Sequence, residues 1–150
     1  MSASKPVKAS GFAYRTLDLP GAGATSIAPP SLAVRPFDPA AFAAEPSPST
    51  GLAQAERTQA VVALVKEASS LSGGKVILVG HSAGGITVSA VAEQIPDLLL
   101  GVVYLAGFMA PNGLPLMAML MHESMASALA PKLFVGDPAA IGATRIHAGS

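Results

Sequence analysis

Between residues 52 and 71, LAQAERTQAVVALVKEASSL, apolar side chains recur at spacings of three and four: Val61, Leu64, Val65, Ala68 and Leu71. Gln54, Glu56, Arg57 and Lys66 fall at other positions. That period predicts an amphipathic helix with one face in a core. Ser49 or Thr50 is placed to cap its start and Gly73-Gly74 to end it. Residues 75–80, KVILVG, then run apolar without alternation and are rich in β-branched side chains. Such a run predicts a strand covered on both faces. Residues 83–95, AGGITVSAVAEQI, read as a buried helix stopped by Pro96, and residues 98–108, LLLGVVYLAGF, hold a second buried strand. Helix, strand, helix, strand in that order predicts an α/β fold whose core is a parallel sheet with right-handed crossovers.

The flanks are less regular. FAYRTLDLP, residues 12–20, has strand propensity and is stopped by Pro20-Gly21. Residues 21–51 carry Pro29, Pro30, Pro36, Pro39, Pro46 and Pro48, which leave no room for a regular helix beyond a turn or two. Loops of that length inside a domain are often functional. Residues 114–130, LPLMAMLMHESMASALA, are methionine-rich and apolar on most sides. They read equally as a mobile helical cover over a pocket or as a plain core helix. In GDPAAIG, residues 136–142, Asp137 is a helix N-cap with Pro138 at the first position. This organisation divides the chain into a core, residues 1–110, and the start of a cap or lid region, residues 111–150.

Composition narrows the function. The 150 residues are 51% hydrophobic and 12% charged, ample apolar material for one domain. Nine basic and nine acidic side chains cancel, so no electrostatic ground exists for a nucleic-acid or anionic-membrane partner. There is no cysteine, which excludes disulfides and thiolate metal sites. The polar start MSASKPVKAS has no apolar stretch behind it, and no apolar run approaches the roughly 18 residues of a membrane helix. A cytoplasmic location is expected. His122-Glu123 lacks the second histidine of a zinc-binding H-E-x-x-H, since position 126 is Ala126. Gly21-x-Gly23 lacks the third glycine, the following helix and the acidic residue of a dinucleotide site, and no Gly-Lys-Ser/Thr follows VGHSAGG. No metal or cofactor is expected.

One stretch carries chemistry. Gly80-His81-Ser82-Ala83-Gly84 matches G-x-S-x-G between the run 75–80 and the helix 83–95. A sharp strand-to-helix turn there lifts a serine hydroxyl clear of the sheet, and small flanking residues avoid clashes with strand and helix. The N–H of Ala83 then lies at a helix N-terminus, where it can face an oxyanion. The plainer alternative is a glycine-rich turn with Ser82 as an N-cap.

The segment KVILVGHSAGGITVSAVAEQIPDLLLGVVYLAGFMAPNG resembles the core of the α/β-hydrolase superfamily, and is most similar to its small esterases, hydroxynitrile lyases and methyl esterases. YRTLDLPGAGATS resembles that family's fourth strand and D-x-P-G-x-G loop, matched at Asp18, Pro20, Gly21 and Gly23. The likeness covers roughly residues 10–112. It implies Ser82 as nucleophile, Ala83 as oxyanion-hole amide, and His81 as a common neighbour that is not the base. It implies a small-molecule ester or other acyl substrate.

The family's remaining parts find no match here. Its third strand, ending in an H-G pair that supplies a second oxyanion N–H, has no counterpart in the eleven residues before Phe12. Its acid and histidine follow later strands, whereas His122, His147 and Asp137 stand in no such context. The expectation is a partial α/β-hydrolase fold with a nucleophile elbow, truncated at both ends. Its triad is incomplete, its isolated chain is a poor catalyst, and it self-associates through an exposed sheet edge. Either it acts as an esterase-like serine hydrolase, or it is a non-catalytic product that binds a ligand or partner.

Overall fold

The computed structural model describes residues 11–111 and 113–146. In chain order its elements are α1 (Pro39–Ala44), α2 (Gln54–Ser72), β1 (Val76–His81), α3 (Gly84–Gln94), β2 (Leu99–Leu105), α4 (Leu116–Leu120), β3 (Phe134–Val135), α5 (Pro138–Ile141) and β4 (Arg145–Ile146), with short 3-10 turns between them. They gather into two compact units. The first comprises the described residues up to Thr25 with Ala53–Met109, the second Ser26–Leu52 with the described residues from Ala110 onward. Among the described residues no helix is long and apolar enough to cross a membrane.

The first unit is a mixed α/β layer. β1 and β2 pair in parallel, with Leu78 opposite Val102, Val79 opposite Val103 and Gly80 opposite Tyr104, and α3 links them. The core lies between this sheet and the helices. Val61, Val62 and Val65 of α2 meet Val91 of α3, which is fully buried, and Leu99 at the start of β2. The polar groups in this core are paired. Thr58 donates to the Gln54 carbonyl at 2.9 Å, and the Gln54 amide donates to the Thr87 hydroxyl of α3 at 2.8 Å.

Local chemistry explains the ends of α2. The Glu56 carboxylate accepts the Ala53 N–H at 3.0 Å, which ties down the first turn, and Gly73 closes the last with φ of 67°. The start therefore falls at Ala53; Ser49 and Thr50, expected as caps, lie in the preceding turn. Leu71, expected in the core, is exposed, whereas Val62 is buried.

Two further expectations are corrected. Residues 12–20 form no strand, and residues 11–18 are exposed. Strand propensity is realised only against a partner ladder, and the sheet of this unit holds β1 and β2 alone among the described residues. Among the described residues the sheet is also covered on one face only. Val76, Leu78 and Gly80 point towards the helices, while Ile77 and Val79 are about half exposed, as are Val103 and Leu105 across the ladder. The unbroken apolar run thus conceals an inside-outside alternation that hydropathy alone does not separate.

The second unit is built from short elements stitched by side chains. Asp38 accepts the N–H groups of Ala40 and Ala41 to start α1, and Asp137 accepts that of Ala139 to start α5, the cap its spacing predicts. β3 and β4 pair antiparallel, Phe134 opposite Ile146 and Val135 opposite Arg145. Arg145 is buried; its guanidinium donates to the Phe42 and Glu45 carbonyls and lies 4.6 Å from the Phe42 ring centre. Residues 114–130 do not form one helix. After α4 the His122 imidazole accepts the Ser124 N–H and starts a new 3-10 turn, which breaks the run.

Candidate active site

Serine 82 stands where β1 ends and α3 has not yet begun. It is exposed and adopts φ of 52°, the left-handed region that L residues enter at a cost of about 1–2 kcal/mol. Three backbone bonds hold it there. Its N–H donates to the Leu105 carbonyl at 3.3 Å, and its carbonyl accepts from Gly85 at 3.0 Å and from Phe108 at 3.1 Å. The strain is thus fixed from both sides, by the first turn of α3 and by the chain leaving β2.

The second turn mirrors the first. Ala106, just past the end of β2, also has positive φ, 44°. Both strands therefore end in tight turns beside one another. In parallel sheets the crevice outside the carboxyl ends of the strands is where ligands bind.

The glycines around Ser82 are not equivalent. A Cβ on Gly80 would lie 2.7 Å from Val88 Cγ2 and 2.9 Å from the Gly84 carbonyl oxygen, so no larger residue fits without moving α3. At Gly84 a Cβ meets nothing within 4 Å, which corrects the expectation that both flanking glycines relieve a clash. The second crowded glycine is Gly85, whose Cβ would run into the Phe108 backbone, 2.7 Å from its nitrogen. Pattern reasoning missed Gly85; the Gly-Gly doublet opening α3 was the available signal. It also missed the hydroxyl pair behind the turn. Ser89 donates to the Gly85 carbonyl at 2.8 Å, which leaves the Tyr104 hydroxyl to donate to Ser89 across 2.8 Å. This links α3 to β2 one helical turn beyond the elbow.

Ala83 is the N-cap of α3, and its N–H takes no acceptor among the described residues. It sits at the positive end of an eleven-residue helix. His81 is the exposed last residue of β1 and, by strand alternation, shares the face of Ile77 and Val79. Among the described residues no side chain hydrogen-bonds the Ser82 hydroxyl. His122 and Asp137 belong to the second unit, where His122 Nδ1 lies 2.9 Å from the Ser124 hydroxyl and Asp137 caps α5. His147 lies outside the described residues. The geometry unites Gly80, Ser82, Ala83 and Gly85 with the chain after β2. It offers an exposed hydroxyl beside an uncommitted amide, two of the groups that acyl transfer uses.

Comparison with known proteins adds two findings. The family model described as "Alpha/beta hydrolase family" matches residues 6–148. A carbendazim hydrolyzing esterase from Nocardioides sp. (strain SG-4G) is 47% identical over 45 residues. Those residues are 30% of this chain but only 19% of the relative, so the likeness spans a small part of that protein.

Proposed function

Because the chain belongs to the alpha/beta hydrolase family, we propose that it cleaves carboxylic esters by acyl transfer to Ser82. The observation that carries this reading is the backbone of Ser82, held exposed at φ of 52° between a parallel strand and a buried helix. The partial likeness to an esterase supports the substrate class.

In this mechanism the Ser82 oxygen adds to the ester carbonyl carbon as its proton leaves. Negative charge gathers on the former carbonyl oxygen, where the Ala83 N–H and the α3 dipole stabilise it. The intermediate collapses, the alcohol departs with a proton, and water later releases the acid from the acyl-serine. Oxyanion donors of this kind are worth about 10²–10³ in rate each. Among the described residues no side chain is hydrogen-bonded to the Ser82 hydroxyl to take its proton. The lack of such a base among the described residues favours a second reading, in which the fold holds an acyl ligand without turning it over.

Mass spectrometry after incubation with nitrophenyl acetate separates the two. Ester cleavage through Ser82 leaves an acetyl group on that residue, released slowly and missing in Ser82→Ala. An unmodified chain, or acetylation unchanged by Ser82→Ala, overturns the proposal.

A further inference from the structure

The chain leaving β2 holds the elbow from one side. The Leu105 carbonyl accepts the Ser82 N–H at 3.3 Å, and the Phe108 N–H donates to the Ser82 carbonyl at 3.1 Å. Both bonds fix Ser82 itself. A further contact lies behind it. Tyr104 stands opposite Gly80 in the parallel ladder and so shares its helix-facing side. Its hydroxyl donates to Ser89 of α3 across 2.8 Å, and the Ser89 hydroxyl donates to the Gly85 carbonyl at 2.8 Å. The Gly85 N–H donates in turn to the Ser82 carbonyl at 3.0 Å. A chain of contacts thus runs from β2 through Ser89 and Gly85 to the backbone of Ser82.

The turn held in this way is the softest of α3. The helix opens on Gly84-Gly85, two residues without a Cβ and with the widest backbone freedom. Its deepest contacts with the core are Val88 and Val91, which are apolar. Apolar burial is non-directional: it sets how closely a helix packs, not where it sits along or about its axis. A hydrogen bond has direction. Ser89 follows Gly85 by four residues, about one helical turn. The hydroxyl pair therefore anchors α3 one turn behind the point where Leu105 and Phe108 anchor Ser82. Anchors a turn apart stop the start of the helix from pivoting about Ser82, and the group that pivoting displaces is the Ala83 N–H. Burial does not by itself demand the pair, because Ser89 and Tyr104 are only half-buried and water is able to satisfy both hydroxyls.

We propose that Ser89 and Tyr104 are positioning residues for acyl transfer, which hold the first turn of α3 so that the Ala83 N–H meets the oxyanion formed at Ser82. The inference rests on the reading of Ser82 as the nucleophile.

The test uses the 150-residue protein and nitrophenyl acetate. It follows Ser82 acetylation against ester concentration, and hydrogen exchange at the Gly85 and Phe108 amides, whose acceptor is the Ser82 carbonyl. In Ser89→Ala the maximal acetylation rate falls about tenfold, while the half-saturating ester concentration stays within about twofold, because the pair touches no substrate. Exchange at Gly85 and Phe108 quickens, and exchange at the α2 amides does not. Tyr104→Phe gives a smaller loss, since the Ser89 bond to Gly85 remains, and the double variant is no slower than Ser89→Ala. Ser89→Thr restores the parent rate, because a threonine hydroxyl in a helix bonds the carbonyl a turn back. Val91→Ala loosens the core beneath α3 without touching the pair, so it lowers stability and leaves acetylation of the folded protein unchanged.

Acetylation and exchange equal to the parent in Ser89→Ala overturn the proposal. So does a Ser89→Thr variant as slow as Ser89→Ala, or an equal loss in Val91→Ala, which would reduce the effect to stability alone. A parent left unacetylated at Ser82 overturns the reading of the nucleophile, and this role with it. Failure of the positioning role alone leaves the parent acetylated and Ser89→Ala its equal.

Discussion

Gly80→Ala and Gly84→Ala change the same atom in the same five-residue motif, yet the structure assigns them opposite outcomes. The new methyl at position 80 arrives 2.7 Å from Val88 Cγ2, 2.9 Å from the Gly84 oxygen and 3.0 Å from the Gly84 carbon. Val88 is buried and branched, and the other two atoms are backbone, so α3 itself must move. Overpacking of this kind costs about 1–3 kcal/mol. With a urea slope of about 1–3 kcal/mol per molar, the unfolding midpoint falls by roughly 1 M. Because α3 carries Ala83 and fixes Ser82 through Gly85, acetylation of Ser82 falls about tenfold or more as well. Gly84→Ala meets open space at the first helical position and forfeits the backbone freedom of glycine in the unfolded chain, so it is neutral or stabilising by up to about 1 kcal/mol. Urea unfolding of the three proteins, with acetylation measured on each, decides the matter. Equal losses for both variants, or a greater loss at position 84, refute the steric account of the elbow.

Ser82→Gly relieves the left-handed backbone and should raise stability by about 1 kcal/mol over Ser82→Ala, since both lose the hydroxyl and only glycine suits φ of 52°; thermal unfolding of the two variants reads the difference. With no base hydrogen-bonded to Ser82 among the described residues, the acetylation rate should rise about tenfold per pH unit between pH 6 and 9, because only the alkoxide reacts. A bend near the histidine range, about pH 6.5, would instead show an imidazole at work. Val91→Ala hollows the fully buried centre of the first unit and should cost about 2 kcal/mol in urea unfolding. Arg145→Lys should cost about 1–3 kcal/mol, because an ammonium cannot reach both the Phe42 and Glu45 carbonyls while stacking on the Phe42 ring.

Where the chain supplies a local reason for an element, the sequence reveals it. α2 has its apolar period and a glycine stop, and Asp137 followed by Pro138 announces α5. β1 and β2 are legible as apolar runs, and the turn between β1 and α3 as a G-x-S-x-G pattern. What depends on distant partners is not legible. FAYRTLD has strand propensity but pairs with no strand among the described residues, and VILVG cannot reveal that those residues leave one of its faces uncovered. The motif names Gly80 and Gly84 alike, whereas contacts of position 80 with Val88 and the Gly84 backbone distinguish them. Gly85 becomes a constraint only when the chain after β2 returns against it at Phe108.

The central claim is that Ser82, among all the serines of the chain, is the one presented for acyl transfer. Labelling with a fluorophosphonate, followed by peptide mapping, tests it most directly. The account predicts a single adduct, confined to Ser82 and lost in Ser82→Ala. Adducts spread over several serines, or a chain left unlabelled at Ser82, would contradict it.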